Sequence, residues 1–266
     1  MPFIAAGDIT VHYHLAGPPG APVVLFANSI GTSFHIWDAQ VPALSERYRV
    51  LRYDMRGHGL TDATPAPYSM DMLADDALAL LDALGIERAH VVGLSIGGMM
   101  AQRLAAKAPQ RVTSLVLCDT ASRIGPPSIW ADRIAAIRAD GLASIAQGVM
   151  ARWFTERYRS ERADAVRGFV NMLSRTPAEG YVGCAMAIRD ADLTADDARI
   201  ACPTLVLVGD QDLATPPSLA RETADAIPGA RFAVLKDAAH IPCVERPDAL
   251  TAQLLDFLGE NDTHGR

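Results

Sequence analysis

Residues 91–100 read VVGLSIGGMM, a single serine set among glycines with apolar residues on both sides. The run leading into Gly93 has the composition of a buried strand. The stretch IGGMMAQRLAAKAP after Ser95 has helical spacing, with small residues in its first turn. A serine at such a junction either caps the helix or serves as a nucleophile. The pattern Gly93-Leu94-Ser95-Ile96-Gly97 suits the second role. A nucleophilic serine must sit on a sharp turn at the carboxyl end of a sheet, and glycines two residues to either side let neighbouring chains approach. The helix that follows would aim its free N–H groups and positive end at a developing oxyanion.

The same alternation extends both ways. DITVHYHLAG (8–17) alternates like a strand with one exposed face, and APVVLFANS (21–29) is an apolar strand running into a polar loop. YRVLRYDMRGHG (48–59) repeats strand and glycine-rich loop, and SMDMLADDALALLDALGI (69–86) has helical spacing with an acidic exposed side. VTSLVLCDTA (112–121) is again a strand. From there to about RDADLTADD (189–197) the segments are helical, with WADRIAAIRADGLASIAQGVMARWFT (130–155) the clearest. Strand and helix resume through CPTLVLVGDQD, SLARETADAIP, ARFAVLKDAAH and DALTAQLLDFLGE. The expected class is α/β, a mostly parallel central sheet flanked by helices. Its core would run over 1–121 and 191–266, interrupted by a helical insertion at 122–190. The final NDTHGR reads as a frayed tail.

A chain of 266 residues can bury a large core. Its net charge of −7, with Lys and Arg scattered, offers no electrostatic footprint for nucleic acid or an anionic membrane surface, so an anionic substrate would need a local cation. Cys118, Cys184, Cys202 and Cys243 are far apart and read as reduced thiols of a cytosolic protein. No secretory leader or membrane span is evident, and the expected compartment is the cytoplasm. Neither a metal signature nor a G-x-G-x-x-G in the first strand–helix turn is present, so no cofactor is expected; the expected partner is a small molecule.

A nucleophilic Ser95 needs a base and an orienting carboxylate. His12 and His14 share a strand face and read as solvent-facing rather than as a metal pair. His35 and His58 lie in loops that could border a pocket, His90 opens the serine strand at its far end, and His264 is in the tail. His240 follows the last strand, at the carboxyl edge where open α/β sheets bind ligands. The acid should fall between serine and histidine in the chain. LVLVGDQDLATPP (205–217) offers Asp210 and Asp212, and Asp119 also ends a strand. The oxyanion would meet the amide of Ile96 and one from the loop Asn28-Ser29-Ile30-Gly31, where Ser29 is the natural donor.

With these residues in place the chain resembles the α/β-hydrolase fold superfamily along its whole length, through YDMRGHGLTD, GLSIGG, LVGDQDLATPP and AAHIPCVERPDAL in that order. The resemblance implies Ser95 as nucleophile, Asp212 as acid and His240 as base, with Asp210 left to fix its turn and Asp119 second in rank. It also implies that the insertion is a helical cap. A narrower resemblance is to the 3-oxoadipate enol-lactonases of bacterial aromatic catabolism. It rests on FANSIGTSFHIWDAQVPAL (26–44), where Asn-Ser replaces the His-Gly common elsewhere, on the stretch from Cys118 to Thr155, and on NMLSRTPAEGYVGCAMAIRDADL (171–193).

That family's substrate is a five-membered unsaturated lactone bearing an acetate arm, a small anion. A buried carboxylate calls for an arginine partner. In IWADRIAAIR (129–138), Trp130 and Arg133 fall three apart on one helix face, so Arg133 is expected to hold the carboxylate, with Trp130 as an apolar wall and Trp153 nearby. The alternative is a general carboxylesterase or a perhydrolase- or haloperoxidase-like enzyme on the same triad, and further off a non-catalytic ligand receptor. The sequence gives no oligomeric state.

Overall fold

The computed structural model describes residues 2–262. In chain order its elements are β1 (Phe3–Ala6), β2 (Ile9–Ala16), β3 (Val23–Ala27), α1 (Val41–Leu44), β4 (Arg49–Tyr53), α2 (Met70–Ala83), β5 (Ala89–Leu94), α3 (Ile96–Lys107), β6 (Val112–Cys118), α4 (Pro127–Asp140), α5 (Ala146–Trp153), α6 (Glu156–Glu161), α7 (Ala163–Ser174), α8 (Ala178–Asp190), α9 (Thr194–Asp197), β7 (Thr204–Gly209), α10 (Pro217–Ala226), β8 (Arg231–Leu235), α11 (Pro242–Glu245) and α12 (Pro247–Asn261).

The eight strands form one sheet in the order β1-β2-β4-β3-β5-β6-β7-β8. β1 and β2 pair antiparallel, as do β2 and β4, and every later pairing is parallel. β3, β5 and β7 are buried at every residue, because helices cover both faces and a parallel sheet has no wet side. Their solid apolar runs follow from that cover. The α/β class with flanking helices is the one the sequence predicts, and the carboxyl ends of β3, β5, β6, β7 and β8 meet along one edge.

Between β6 and β7 the chain runs through α4 to α9 with no strand. The helical stretch over 130–155 is not one helix. Gly141, at φ +75°, ends α4, and a 3-10 turn over Leu142–Ile145 redirects the chain into α5. α4 lies against α8, and α5 against α7. Among the described residues no helix is long and apolar enough to cross a membrane.

Two local expectations are overturned. His12 is not solvent-facing: Phe3 of β1 and Phe34, after β3, cover its ring, and its Nδ1 lies 2.7 Å from Oδ2 of Asp54, just after β4. The acidic side of α2 is not wholly exposed, because Asp76 is buried against the guanidinium of Arg56. Of the final NDTHGR, Asn261 and Asp262 are described, and Tyr48 donates its hydroxyl to Asp262 at 2.6 Å; the rest, His264 included, lies outside the described residues.

Candidate active site

Ser95 stands alone between β5 and α3 with φ +57° and ψ −119°, a conformation that costs a non-glycine residue on the order of 1–3 kcal/mol. Two close approaches hold it there. A Cβ on Gly93 would lie 2.3 Å from the Gly97 carbonyl oxygen, and a Cβ on Gly97 would lie 2.5 Å from that of Ala27, so neither position tolerates a side chain without movement. Thr120 donates its hydroxyl to the Ser95 carbonyl at 2.7 Å.

His240 follows β8 and Asp212 follows β7. His240 Nδ1 lies 2.8 Å from Asp212 Oδ2, which leaves Nε2 for a second partner. Asp212 accepts three more hydrogen bonds, from the amides of Ala214 (2.7 Å) and Thr215 (3.1 Å) and from the Thr215 hydroxyl (2.6 Å). Burial raises its carboxyl, but the facing His240 and the Thr215 bonds outweigh burial and leave it below the usual carboxylate range. Ser95 and His240 line the same cavity of about 510 Å³, with no hydrogen bond between them among the described residues. The other acids stand differently. Asp210 Oδ1 accepts the Ala238 amide at 3.3 Å, and Asp119, fully buried at the end of β6, binds the Gly209 amide at 2.8 Å.

The amides of Ser29 and Ile96 have no acceptor among the described residues. The loop that carries Ser29 is tied down by hydrogen bonds. Asn28 Nδ2 donates to the Thr32 carbonyl at 2.7 Å, Thr32 donates its hydroxyl to the Ser29 carbonyl at 2.7 Å, and the Gly31 amide donates to His58 Nε2 at 2.8 Å. Burial holds the His58 imidazole below its usual pKa, and the accepting Nε2 places the ring proton on Nδ1, facing the Arg56 carbonyl. His58 thus braces the loop from beneath and does not line the cavity.

The cavity walls come from the helices between β6 and β7 and from the loop after β7. Trp130, Arg133 and Trp153 all line it, as do Arg152 and Tyr181, which the sequence reading missed. The Arg133 guanidinium stacks 4.6 Å from the Trp130 ring centre, and its Nη1 donates to the Tyr181 hydroxyl at 3.5 Å. Arg133 and Arg152 are the charged side chains of the lining, which contains no Asp or Glu, and neither forms an ion pair among the described residues. Leu213 and Ile129, 72% and 40% exposed, stand at the rim. His35 pairs with Asp38 in the open, and His90 is buried against Ser114. Among the described residues no three His, Cys, Asp or Glu side chains gather to hold a metal ion.

Residues 22–247 match the family described as alpha/beta hydrolase fold. A 3-oxoadipate enol-lactonase 2 of Acinetobacter baylyi is 35% identical over 92% of this chain and 92% of its own. The solved enol-lactonase of Burkholderia xenovorans LB400 is 41% identical, with a TM-score of 0.95 over 97% of this chain and all of that one. A thermophilic esterase from Thermogutta terrifontis, solved with malate bound, is 29% identical with a TM-score of 0.90 over 97% of this chain and 98% of its own.

Proposed function

The chain belongs to the alpha/beta hydrolase fold family, and on that premise we propose that it opens 3-oxoadipate enol-lactone to 3-oxoadipate, as a cytoplasmic enzyme of aromatic catabolism. Ser95 is the nucleophile, His240 the base and Asp212 the acid that orients it, while the Ser29 and Ile96 amides receive the oxyanion. Residues 122–190 act as a helical cap. The observation that carries the reading is the composition of the cavity: Ser95 and His240, Trp130, Trp153 and two arginines in the lining, and no carboxylate there in a chain that is acidic as a whole. Such a cavity suits a small apolar ring with one carboxylate arm.

In this reading the Ser95 hydroxyl attacks the lactone carbonyl as its proton passes to His240. Collapse of the tetrahedral adduct breaks the ring C–O bond and expels an enolate, which stays tethered because ring opening leaves both parts on one acyl chain. The imidazolium returns the proton to the enolate, giving the ketone. Water then attacks the ester, its proton taken by His240, and frees 3-oxoadipate and Ser95. Arg133 holds the acetate arm, with Arg152 as a second cation in the same wall.

The likeness to an esterase favours one other reading, a general carboxylesterase on the same triad. Hydrolysis of the lactone compared with p-nitrophenyl acetate, in wild type and Ser95→Ala, separates them. We expect the lactone to be preferred by orders of magnitude and Ser95→Ala to lose about 10⁴-fold in kcat. Strong ester turnover with a weak lactone reaction would discard the lactonase and keep the triad; activity surviving in Ser95→Ala would discard both.

A further inference from the structure

We propose that Asp119 is a neutral carboxylic acid that offers its proton to the Asp212 carboxylate, and so acts as a positioning residue for the acid that orients His240. The inference rests on the triad reading but not on the choice of substrate.

Asp119 follows β6 with φ +46°, in the left-handed region, and its backbone amide bonds to the Leu207 carbonyl on β7 at 2.9 Å. This turn sends the side chain into the space between the ends of β6 and β7, where it is fully buried. Oδ1 accepts the amide of Gly209, the last residue of β7, and the Asp212 amide in turn bonds to the Gly209 carbonyl at 3.2 Å. Asp119 is therefore built into the turn that presents Asp212. Oδ2 is buried and meets no N–H or O–H donor among the described residues, and the Asp212 carboxylate is the charge that bears most strongly on the side chain.

The groups facing Asp119 are Asp212 from the loop after β7, Glu245 and the Cys243 thiol from α11, and the adjacent Cys118 thiol at the end of β6. None is a cation, and no ion pair to Asp119 exists among the described residues. Two buried carboxyls side by side with no cation between them cannot both ionise. The donor sets decide which one holds the charge. Asp212 receives four hydrogen bonds counting His240, and Asp119 receives one. Asp212 keeps the negative charge, and the proton resides on Asp119 Oδ2, facing it. Burial first, and the Asp212 charge second, push the Asp119 carboxyl well above the usual carboxylate range.

A protonated Asp119 gives Asp212 a further donor and fixes its rotamer against His240 Nδ1. It also keeps a second negative charge away from the imidazole. That charge would hold a proton on His240 and leave the base occupied.

Asp119→Asn is the deciding variant, because its amide can accept from Gly209 and donate to Asp212, neutral in place of neutral. With p-nitrophenyl acetate, Asn should keep kcat within about threefold of wild type, with the acid limb of the pH–kcat/KM profile in place. Asp119→Ala, which loses the donor, should lose about tenfold or more in kcat with KM little changed, and its acid limb should move to higher pH. An acid limb that moves to lower pH in Asn, as removal of an anion would cause, overturns the proposal, and so does an Ala variant identical to wild type. The wild type itself supplies a reading that needs no variant to fold. Its infrared spectrum at neutral pH should contain a protonated-carboxyl carbonyl band, and its absence overturns the proposal. Failure of the triad appears separately, as ester turnover surviving in Ser95→Ala.

Discussion

Arg133 spends its guanidinium on the Trp130 ring and the Tyr181 hydroxyl, neither of which neutralises it, and Arg152 has no ion-pair partner among the described residues. Other arginines are neutralised, such as Arg56 by Asp8 and Asp76 and Arg103 by Asp71 and Asp196. Two uncompensated cations facing one cavity create a local positive field inside a chain of net charge −7. A charge-assisted hydrogen bond to a carboxylate is worth about 1.5–3 kcal/mol. Arg133→Ala should therefore lower kcat/KM for the anionic lactone about 10- to 100-fold, mostly through KM, while leaving p-nitrophenyl acetate within about threefold. Arg152→Ala should act the same way but more weakly, since its side chain is exposed and screened. Steady-state kinetics on both substrates checks this, and an equal loss on both would mark Arg133 as a packing residue only. At this scale the sequence is unevenly legible. Arg133 could be read because it shares a helix face with Trp130. Arg152 and Tyr181 could not, because no spacing rule links the end of α5 and the middle of α8 to a serine after β5.

Elements decide how closely the reacting groups meet. The helix α3 is set against the end of β3 at Gly97, whose missing side chain lets it approach the carbonyls of Ala27 and Asn28, next to Ser29. Gly97→Ala would place a methyl 2.5 Å from the Ala27 carbonyl oxygen and force helix and strand apart. We expect a loss of about 1–3 kcal/mol in stability from overpacking. We also expect a fall of about 10²-fold in kcat, the size seen when one oxyanion donor is displaced; thermal melts and initial rates measure the two. A second device clasps the long excursion between β6 and β7. Ser122, just past β6, donates its hydroxyl to Asp197, its carbonyl accepts the Leu193 amide at 3.0 Å, and its amide donates to Thr223 at 3.1 Å. Burial pushes the Asp197 carboxyl up to about 6, and the Ser122 bond only partly offsets this. The folded protein thus holds this proton more tightly than the unfolded chain does, so its contribution to stability is present in acid and is lost as pH rises from about 4 through 6. Asp197→Asn keeps an acceptor for Ser122 without the buried charge. It should raise the melting temperature relative to wild type near pH 8 and leave it nearly unchanged near pH 4. An equal shift at both pH values would contradict the assignment. Element types were legible because runs of two periods are hard to confuse, whereas the break at Gly141 was not, since apolar spacing continues across it and only the φ of +75° shows the turn.

Across the whole molecule, the sequence could bring Ser95, Asp212 and His240 together as one proposed set because each follows a strand in the parallel part of the sheet, where chain order translates into position along an edge. The link between the histidine loop and the distant helices was not, because it runs through one glutamate whose role depends on folding. Glu245, in α11, accepts the Ala239 amide at 3.0 Å with Oε2, directly before His240. With Oε1 it accepts the Thr155 amide at 3.2 Å and the Thr155 hydroxyl, between α5 and α6. The Ile241 amide adds a bond to the Trp153 carbonyl at 3.1 Å. The proposed base, His240, is thus bracketed on both sides by bonds that reach the wall carrying Arg152 and Trp153, which ties the placement of its imidazole to that wall. Glu245→Ala removes the bridge and leaves the Ala239 amide without its acceptor. It should reduce kcat about tenfold on lactone and neutral ester alike, because the defect lies in the base and not in substrate recognition. Amide hydrogen exchange should rise together over 146–161 and 238–245. Thr155→Val cuts only the hydroxyl contact and should show the same joint loosening in smaller degree. Exchange that rises at the His240 loop alone, with 146–161 unchanged, would mean that the two parts of the molecule move independently.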